Sequence, residues 1–277
     1  MARIPRVLSI AGTDPTGGAG IQADLKSIAA AGGYGMCVVT ALVAQNTQGV
    51  REIHTPPQSF LRAQLDSVFD DVTVDAVKIG MLGDTVTTRT VSEFLAQHSV
   101  PVVVVDPVMV ATSGDRLLTE DAEDALRTLV REHATVVTPN IPELAVLCDD
   151  TPATTFDEAV SQGRRYAADA NVSVLVKGGH LTGDHASNAL ITPDGDTHIA
   201  DVPRVRTKNT HGTGCSLSAA LATRLVLDDA PAAVEWASAW LHEAIAHADD
   251  LEVGQGHGPV HHFHRLYRLA EPLESPA

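Results

Sequence analysis

Two patterns alternate along the chain. Short runs are apolar at nearly every position, and longer stretches carry an apolar residue every three or four positions. The stretch RVLSIAG at positions 6–12 is the first short run and ends in glycine. In GAGIQADLKSIAAAGG, which follows, Ile21, Leu25, Ile28 and Ala29 fall on one helical face. MCVVTALVAQN comes next, β-branched and strand-like. SFLRAQLDSVFDDV has the spacing of an amphipathic helix, with Phe60, Leu61, Leu65, Val68 and Phe69 turned inward. DAVKIG predicts a strand and TVTTRTVSEFLAQH a helix. VPVVVVDPVM is the strongest strand signal: residues 102–105 are apolar on both faces, as in the middle of a covered parallel sheet, and Asp106 stands at the carboxyl end. TEDAEDALRTLVREH has an acidic first turn and a Thr119 cap, both marks of a helix start. ATVVTPN and VSVLVKGG repeat the strand-then-loop pattern, with helices between them.

SNALITPDGDTHIAD breaks the alternation. Two strand-like runs flank Asp194-Gly195, a hairpin turn, and predict a small antiparallel edge on an otherwise mostly parallel sheet. Two or three helices follow. Residues 1–270 read as a single α/β domain and EPLESPA, 271–277, as a frayed tail. In such a fold ligands are expected beyond the carboxyl ends of the strands.

Composition narrows the picture. Of 277 residues, 44% are apolar and only 4% aromatic, so the core has to be built from Val, Ala, Leu and Ile. The net charge of −16 argues against a nucleic-acid or anionic-membrane partner, since either needs a basic face. A small polyanion is still admissible, held by helix N-termini, a lysine or two and a metal ion. The opening MARIPRVLSIAG has two arginines but no long apolar region, so no signal peptide is expected. Cys37, Cys148 and Cys215 are odd in number and far apart, which suits a reducing cytoplasm rather than a disulfide framework or a CxxC metal site.

Two glycine loops stand between a strand and a helix. In the first, Gly18-Ala19-Gly20-Ile21-Gln22-Ala23 fits the dinucleotide pattern G-x-G-x-x-G/A. The acid expected about 20 positions later is missing; Gln45 and Asn46 stand there, and an amide suits a heterocycle of mixed donors and acceptors better than a ribose diol. The second loop, THGTGCSL, lacks the Walker lysine, yet Gly212, Thr213 and Gly214 would expose first-turn N–H groups to an anion. Read alone, it is equally an ordinary helix start. Asn140 and Glu143, three apart at a strand end, can orient Mg²⁺ or merely cap a helix. Lys177 ends a buried strand before two glycines, where it can meet a phosphate or snorkel to solvent. Together these features make a phosphoryl-transfer constellation. His257, His261 and His264 raise a zinc site, but Pro259 is expected to open a helix and leave His257 outside it, a solvated helix entry.

SIAGTDPTGGAGIQADLK, VTALVAQNT, KIGMLG, DPVMVATSG, TPNIPE, VKGGH and KNTHGTGCSLSAALA occur in that order, from about Ile10 to near Phe263. In this the chain resembles the hydroxymethylpyrimidine/phosphomethylpyrimidine kinases of thiamine biosynthesis, with Thr13 and Thr16 where serine is familiar. The resemblance implies a three-layer α/β/α ribokinase-like fold, ATP and Mg²⁺ as cofactors, a homodimer, and phosphorylation of 4-amino-5-hydroxymethyl-2-methylpyrimidine to its monophosphate and then its diphosphate. It implies that Gln45 reads the pyrimidine and that Gly12, Asp24, Val43, Met81 and Val108 line its pocket. Gly212, Thr213 and Gly214 would form the anion hole, Asn140, Glu143 and Lys177 would serve Mg-ATP, and Glu143 with Asp106 would hold the metal; Asp106 can instead simply cap its turn. Met81 and Val108 are equally readable as core, and Asp24 as a first-turn acid favoured by the helix dipole. Cys215 would stand beside the accepting hydroxyl, its pKa lowered by the helix N-terminus and its proton role assisting a loose transition state. A pyridoxal or pyridoxine kinase, a non-catalytic nucleotide-binding protein and an NAD-dependent dehydrogenase are the alternatives.

Overall fold

The computed structural model describes residues 3–109 and 120–270. The Thr119 cap, the last residues of DPVMVATSG and the expected tail lie outside the described residues. In chain order the strands are β1 (Arg6–Ala11), β2 (Tyr34–Val39), β3 (Leu42–Asn46), β4 (Gly49–His54), β5 (Ala76–Ile79), β6 (Val102–Val105), β7 (Val136–Val137), β8 (Ser173–Lys177), β9 (Asn188–Ile191) and β10 (Thr197–Ala200). The helices are α1 (Gly20–Ala30), α2 (Gln58–Phe69), α3 (Thr85–Leu95), α4 (Glu120–His133), α5 (Ile141–Cys148), α6 (Phe156–Ala170), α7 (Thr213–Arg224), α8 (Ala230–Ala246) and α9 (His264–Ala270).

Eight strands form one sheet in the order β10-β9-β8-β7-β6-β5-β1-β2. The six from β8 to β2 are parallel, while β9 and β10 make the expected antiparallel hairpin. The side-chain alternation of a strand sends successive residues to opposite faces. Leu8, Ile10, Val103, Val105, Val137, Val174 and Val176 pack with the core residues of α2 to α6. Val7, Val104, Val136 and Leu175 pack with those of α1, α7 and α8. That is the three-layer α/β/α arrangement, and its two cores explain the Val/Ala/Leu-rich composition.

Four local expectations need correction. MCVVTALVAQN is two strands, because β1 ends at Ala11 and the Thr40 hydroxyl donates to the Met81 carbonyl at 2.7 Å, turning the chain out of the sheet. The second piece pairs instead with β4 in a separate antiparallel hairpin. In α1, Ile21 and Ile28 are buried, but Leu25 is only half-buried and Ala29 is exposed. Phe60 is 59% exposed; the sheet-facing side of α2 is carried by Leu61 and Leu65. Pro259 opens no helix: it bridges to His211, α9 starts at His264, and His261, His262 and His264 are buried rather than solvated. Their rings are taken up by neighbours, His262 meeting Ser216 Oγ at 2.9 Å and His264 meeting Glu243 at 2.9 Å.

Candidate active site

The carboxyl ends of β1, β5, β6, β7 and β8 open into a cavity of about 740 Å³. The hairpin of β3 and β4 supplies one wall through Val43 and Gln45, and α8 another through Ser238, Leu241, His242 and Ile245. The β3–β4 register shifts between Ala44 and Gln45. The residue left out of the pairing is Arg51 of β4, so Gln45 keeps the face of Val43 and both line the cavity. Gly12, Met81 and Val108 line it as well, and Met81 and Val108 are half-buried rather than sealed in the core.

Strand parity assembles the polar floor. Ser9 shares the face of Val7, Lys78 that of Ala76, Asp106 that of Val104, Thr138 that of Val136, and Lys177 that of Leu175. All five therefore lie on the side covered by α1 and α7. Lys177 Nζ donates to Asp106 Oδ1 at 2.8 Å and stands 3.8 Å from Glu143. Thr138 also donates to Asp106 Oδ1, at 3.2 Å. Burial works to raise the Asp106 carboxyl, but Lys177 and Lys78 hold it below the usual carboxylate range. Burial pushes Glu143 up to about 7, with Lys177 pulling the other way and Asp106 adding to the rise.

The Asn140/Glu143 spacing is a complete capping box. The Asn140 side chain accepts from the Glu143 N–H at 2.9 Å, and Glu143 Oε2 accepts from the Asn140 N–H at 2.8 Å. Both residues nevertheless line the cavity, so the cap holds them at its edge. Among the described residues no three His, Cys, Asp or Glu side chains gather as a metal cage. Asp106 and Glu143 flank Lys177 with hard oxygen donors. That set fits Mg²⁺, which binds through one or two carboxylates and the phosphates of its nucleotide.

Above this floor α7 begins. Its cap is Gly212 in the left-handed region at φ 78°, with no side chain capping the first turn. The first N–H groups of the helix thus lack protein side-chain partners and face the cavity with the helix dipole behind them. A Cβ on Gly212 would stand 1.8 Å from the Gly18 carbonyl oxygen, so the two glycine loops touch here. Thr213, Gly214 and Cys215 line the cavity, with Gly214 over Asp106 and Lys177.

Two site expectations are corrected. Asp24 is no pocket wall: it is fully buried beneath the cavity, accepting from Lys78 Nζ at 2.8 and 2.9 Å and from Ser9 Oγ at 2.6 Å. Burial raises its carboxyl against the pull of Lys78 and Ser9. The Cys215 thiol is not activated by its helix start. Burial pushes it up to about 11, outweighing the Lys78 charge, and Asp24 and Asp106 add to the rise.

Lys78 and Arg204 were not legible as site residues. Lys78 is fully buried yet borders the cavity. A lysine inside an apolar strand signals a buried acid opposite it, which would have pointed to Asp24. Arg204 donates to the carbonyls of Gly179, Leu181, Gly183 and His185 at 2.6–2.9 Å, and so shapes the loop after Lys177.

The fold is the ribokinase-like one. The chain overlays the pyridoxal kinase of Bacillus subtilis, solved as an ADP complex, with a TM-score of 0.83 at 29% identity, covering 94% of this chain and 98% of that one. The sequence model of the family described as phosphomethylpyrimidine kinase matches residues 14–261, and the chain belongs to that family. It is 51% identical to the hydroxymethylpyrimidine/phosphomethylpyrimidine kinase of Salmonella typhimurium, over 95% of this chain and 99% of that protein. It is 60% identical to the thiamine biosynthesis multifunctional protein ThiED of Corynebacterium glutamicum, over 98% of this chain but 36% of that protein. The chain therefore spans about a third of the length of that larger relative.

Proposed function

We propose that the chain transfers the γ-phosphoryl group of ATP to the hydroxymethyl oxygen of 4-amino-5-hydroxymethyl-2-methylpyrimidine, and then a second phosphoryl group to the monophosphate, in thiamine biosynthesis. The observation that carries this reading is a single cavity lined by two chemically different groups of residues. One group is Gln45 with the apolar Val43, Met81 and Val108, and the other is the start of α7 with Lys177, Asp106 and Glu143. The likeness to the Salmonella typhimurium enzyme supports the same substrate.

In this reading the Gln45 amide pairs with the amino group and ring nitrogen of the pyrimidine, while Gly12, Val43, Met81 and Val108 enclose the ring. The acceptor oxygen attacks the γ-phosphorus as the bond to the bridging oxygen of ADP breaks. Charge spreads over the oxygens in flight, and the N–H groups of Gly212, Thr213 and Gly214 receive it. Lys177 neutralises charge from the other side. Mg²⁺ bound with ATP, held by Glu143 and Asp106 with Asn140 alongside, would screen the phosphates. We read residues 1–270 as one kinase domain, acting as a homodimer in the cytoplasm. All three cysteines are free, which suits a reducing compartment.

A thiol at about 11 is neutral at pH 7 and a poor base. A loose transition state releases the hydroxyl proton late, so little is asked of a base. Cys215→Ala should keep kcat within about tenfold of wild type, whereas a fall of about 10²–10⁴ would assign Cys215 a proton role.

An ATP-consumption assay with hydroxymethylpyrimidine, with pyridoxal and with no acceptor tests the function. Turnover with the pyrimidine is expected. Selective turnover of pyridoxal would replace the reading with the activity named for the Bacillus subtilis relative. In the same assay Gln45→Ala should raise the pyrimidine KM by at least about tenfold, the value of one lost charge-free amide pairing with a buried base. The KM for ATP should stay near wild type; an equal rise in both would remove Gln45 from base reading.

A further inference from the structure

Asp14 sits at the crossing of the two glycine loops and is fully buried. Its carboxylate accepts from the Thr16 N–H at 2.9 Å, the Thr16 hydroxyl at 2.7 Å, the Gly18 N–H at 3.1 Å and the Ala19 N–H at 2.8 Å. These four donors fold the first loop around the acid. The fifth partner is His211, 197 positions away, whose Nε2 lies 2.8 Å from Asp14 Oδ2. A carboxylate accepts only, so Nε2 carries the proton and donates. His211 directly precedes Gly212, the residue that starts α7.

The ring of His211 is wedged as well as bonded. A Cβ on Gly18 would lie 2.7 Å from His211 Cδ2 and 2.9 Å from the Pro259 side chain. The His211 N–H donates to the Gly258 carbonyl at 3.0 Å. From the other side Ser216 Oγ donates to the Gly212 carbonyl at 2.7 Å and meets His262 at 2.9 Å. Since that hydroxyl proton is spent on Gly212, His262 donates through Nε2. Gly212 has no side chain of its own with which to hold its place; its carbonyl accepts from the Ser216 N–H at 2.9 Å as well as from the Ser216 hydroxyl.

We propose that Asp14 and His211 are a positioning pair: their hydrogen bond fixes the first glycine loop, which borders the acceptor pocket, against the anion-binding start of α7, so that both close on the reacting atoms as one body. The catalytic consequence rests on the phosphoryl-transfer reading above; the mechanical coupling does not. Misplacement of a positioned donor by about 1 Å costs on the order of 100-fold in rate, while remote binding contacts are left intact.

The test uses His211→Leu, which removes the donor, and His211→Gln, which returns an N–H near the place of Nε2. Peptide-level hydrogen exchange of the full chain is one readout. The leucine variant should exchange about tenfold faster across residues 16–20 and also across 212–216, with other segments unchanged, and glutamine should restore protection. Faster exchange in one loop alone, or in neither, would overturn the coupling. Kinetics is the other readout: leucine should lower kcat about 100-fold with both KM values within about threefold of wild type, and glutamine should recover at least a tenth of the wild-type rate. An unchanged leucine kcat, or equal losses in both variants, would overturn the positioning role. A wild-type enzyme without phosphoryl transfer would refute the kinase reading separately, and the exchange measurement would still decide the clasp.

Discussion

Gly212→Ala is expected to lower kcat/KM by about 100-fold or more and to lower the melting temperature by several degrees, both measurable on one purified variant. Two costs combine. The residue sits at φ 78°, where an ordinary L-residue costs about 1–3 kcal/mol. The added methyl would also stand 1.8 Å from the Gly18 carbonyl oxygen, a backbone atom that no rotamer change can remove. The loops have to separate, and the first-turn N–H groups leave the position where charge develops. Gly214→Ala is the matched control. Gly214 is already helical, and its Cβ would meet Asp106 Oδ2 and Lys177 Nζ at 3.4 Å each, a contact the lysine can yield to. That variant should hold its melting temperature, and any loss of activity should come from contact with Asp106 and Lys177 rather than from separated loops. A Gly212→Ala enzyme with wild-type rate and melting temperature would show that the loops are not apposed in solution.

Lys78→Met should destabilise the protein by about 3–5 kcal/mol near neutral pH, because it strands the fully buried Asp24 without its counter-charge. The loss should depend on pH in a defined direction. Burial already raises the Asp24 carboxyl, and in the variant nothing from Lys78 opposes it. The folded variant then binds a proton that the unfolded chain releases above its ordinary pKa of about 3.9. Stability should accordingly fall as pH rises from about 4, at up to about 1.4 kcal/mol per pH unit, until Asp24 ionises in the folded state. Denaturant unfolding at pH 5 and pH 8 reads this out. An equal deficit at both values would mean that Asp24 is not the stranded group. Adding Asp24→Asn should recover part of the stability and remove the pH dependence. The charge of Lys78 also acts on Cys215 and Asp106, so the double variant should stay slower than wild type even where it is stable.

The elements were legible because their signals are local. The Val102–Val105 run, the Asp194-Gly195 turn and the glycines at the start of α7 each carry their meaning within a few residues. The pairing of Asn140 with Glu143 was legible as a three-residue spacing, although the structure makes it a cap as well as a cavity edge. Partnerships across the fold were not. Asp24 reads as a first-turn acid until Lys78, 54 positions on, is packed against it. His211 and Asp14, 197 positions apart, carry no shared pattern at all.

By itself the sequence determined the alternation of strands and helices, the mostly parallel α/β class, the place of the two glycine loops and the residues at the strand ends. These follow from periodicity and backbone preference, which act between near neighbours. Only the tertiary structure decided that Gln45 stands on a separate hairpin, that Asp24 lies under the cavity rather than in its wall, and that burial raises the Cys215 thiol. Each of those depends on which groups are brought together and how far water is excluded from them, and neither quantity exists until the layers have packed.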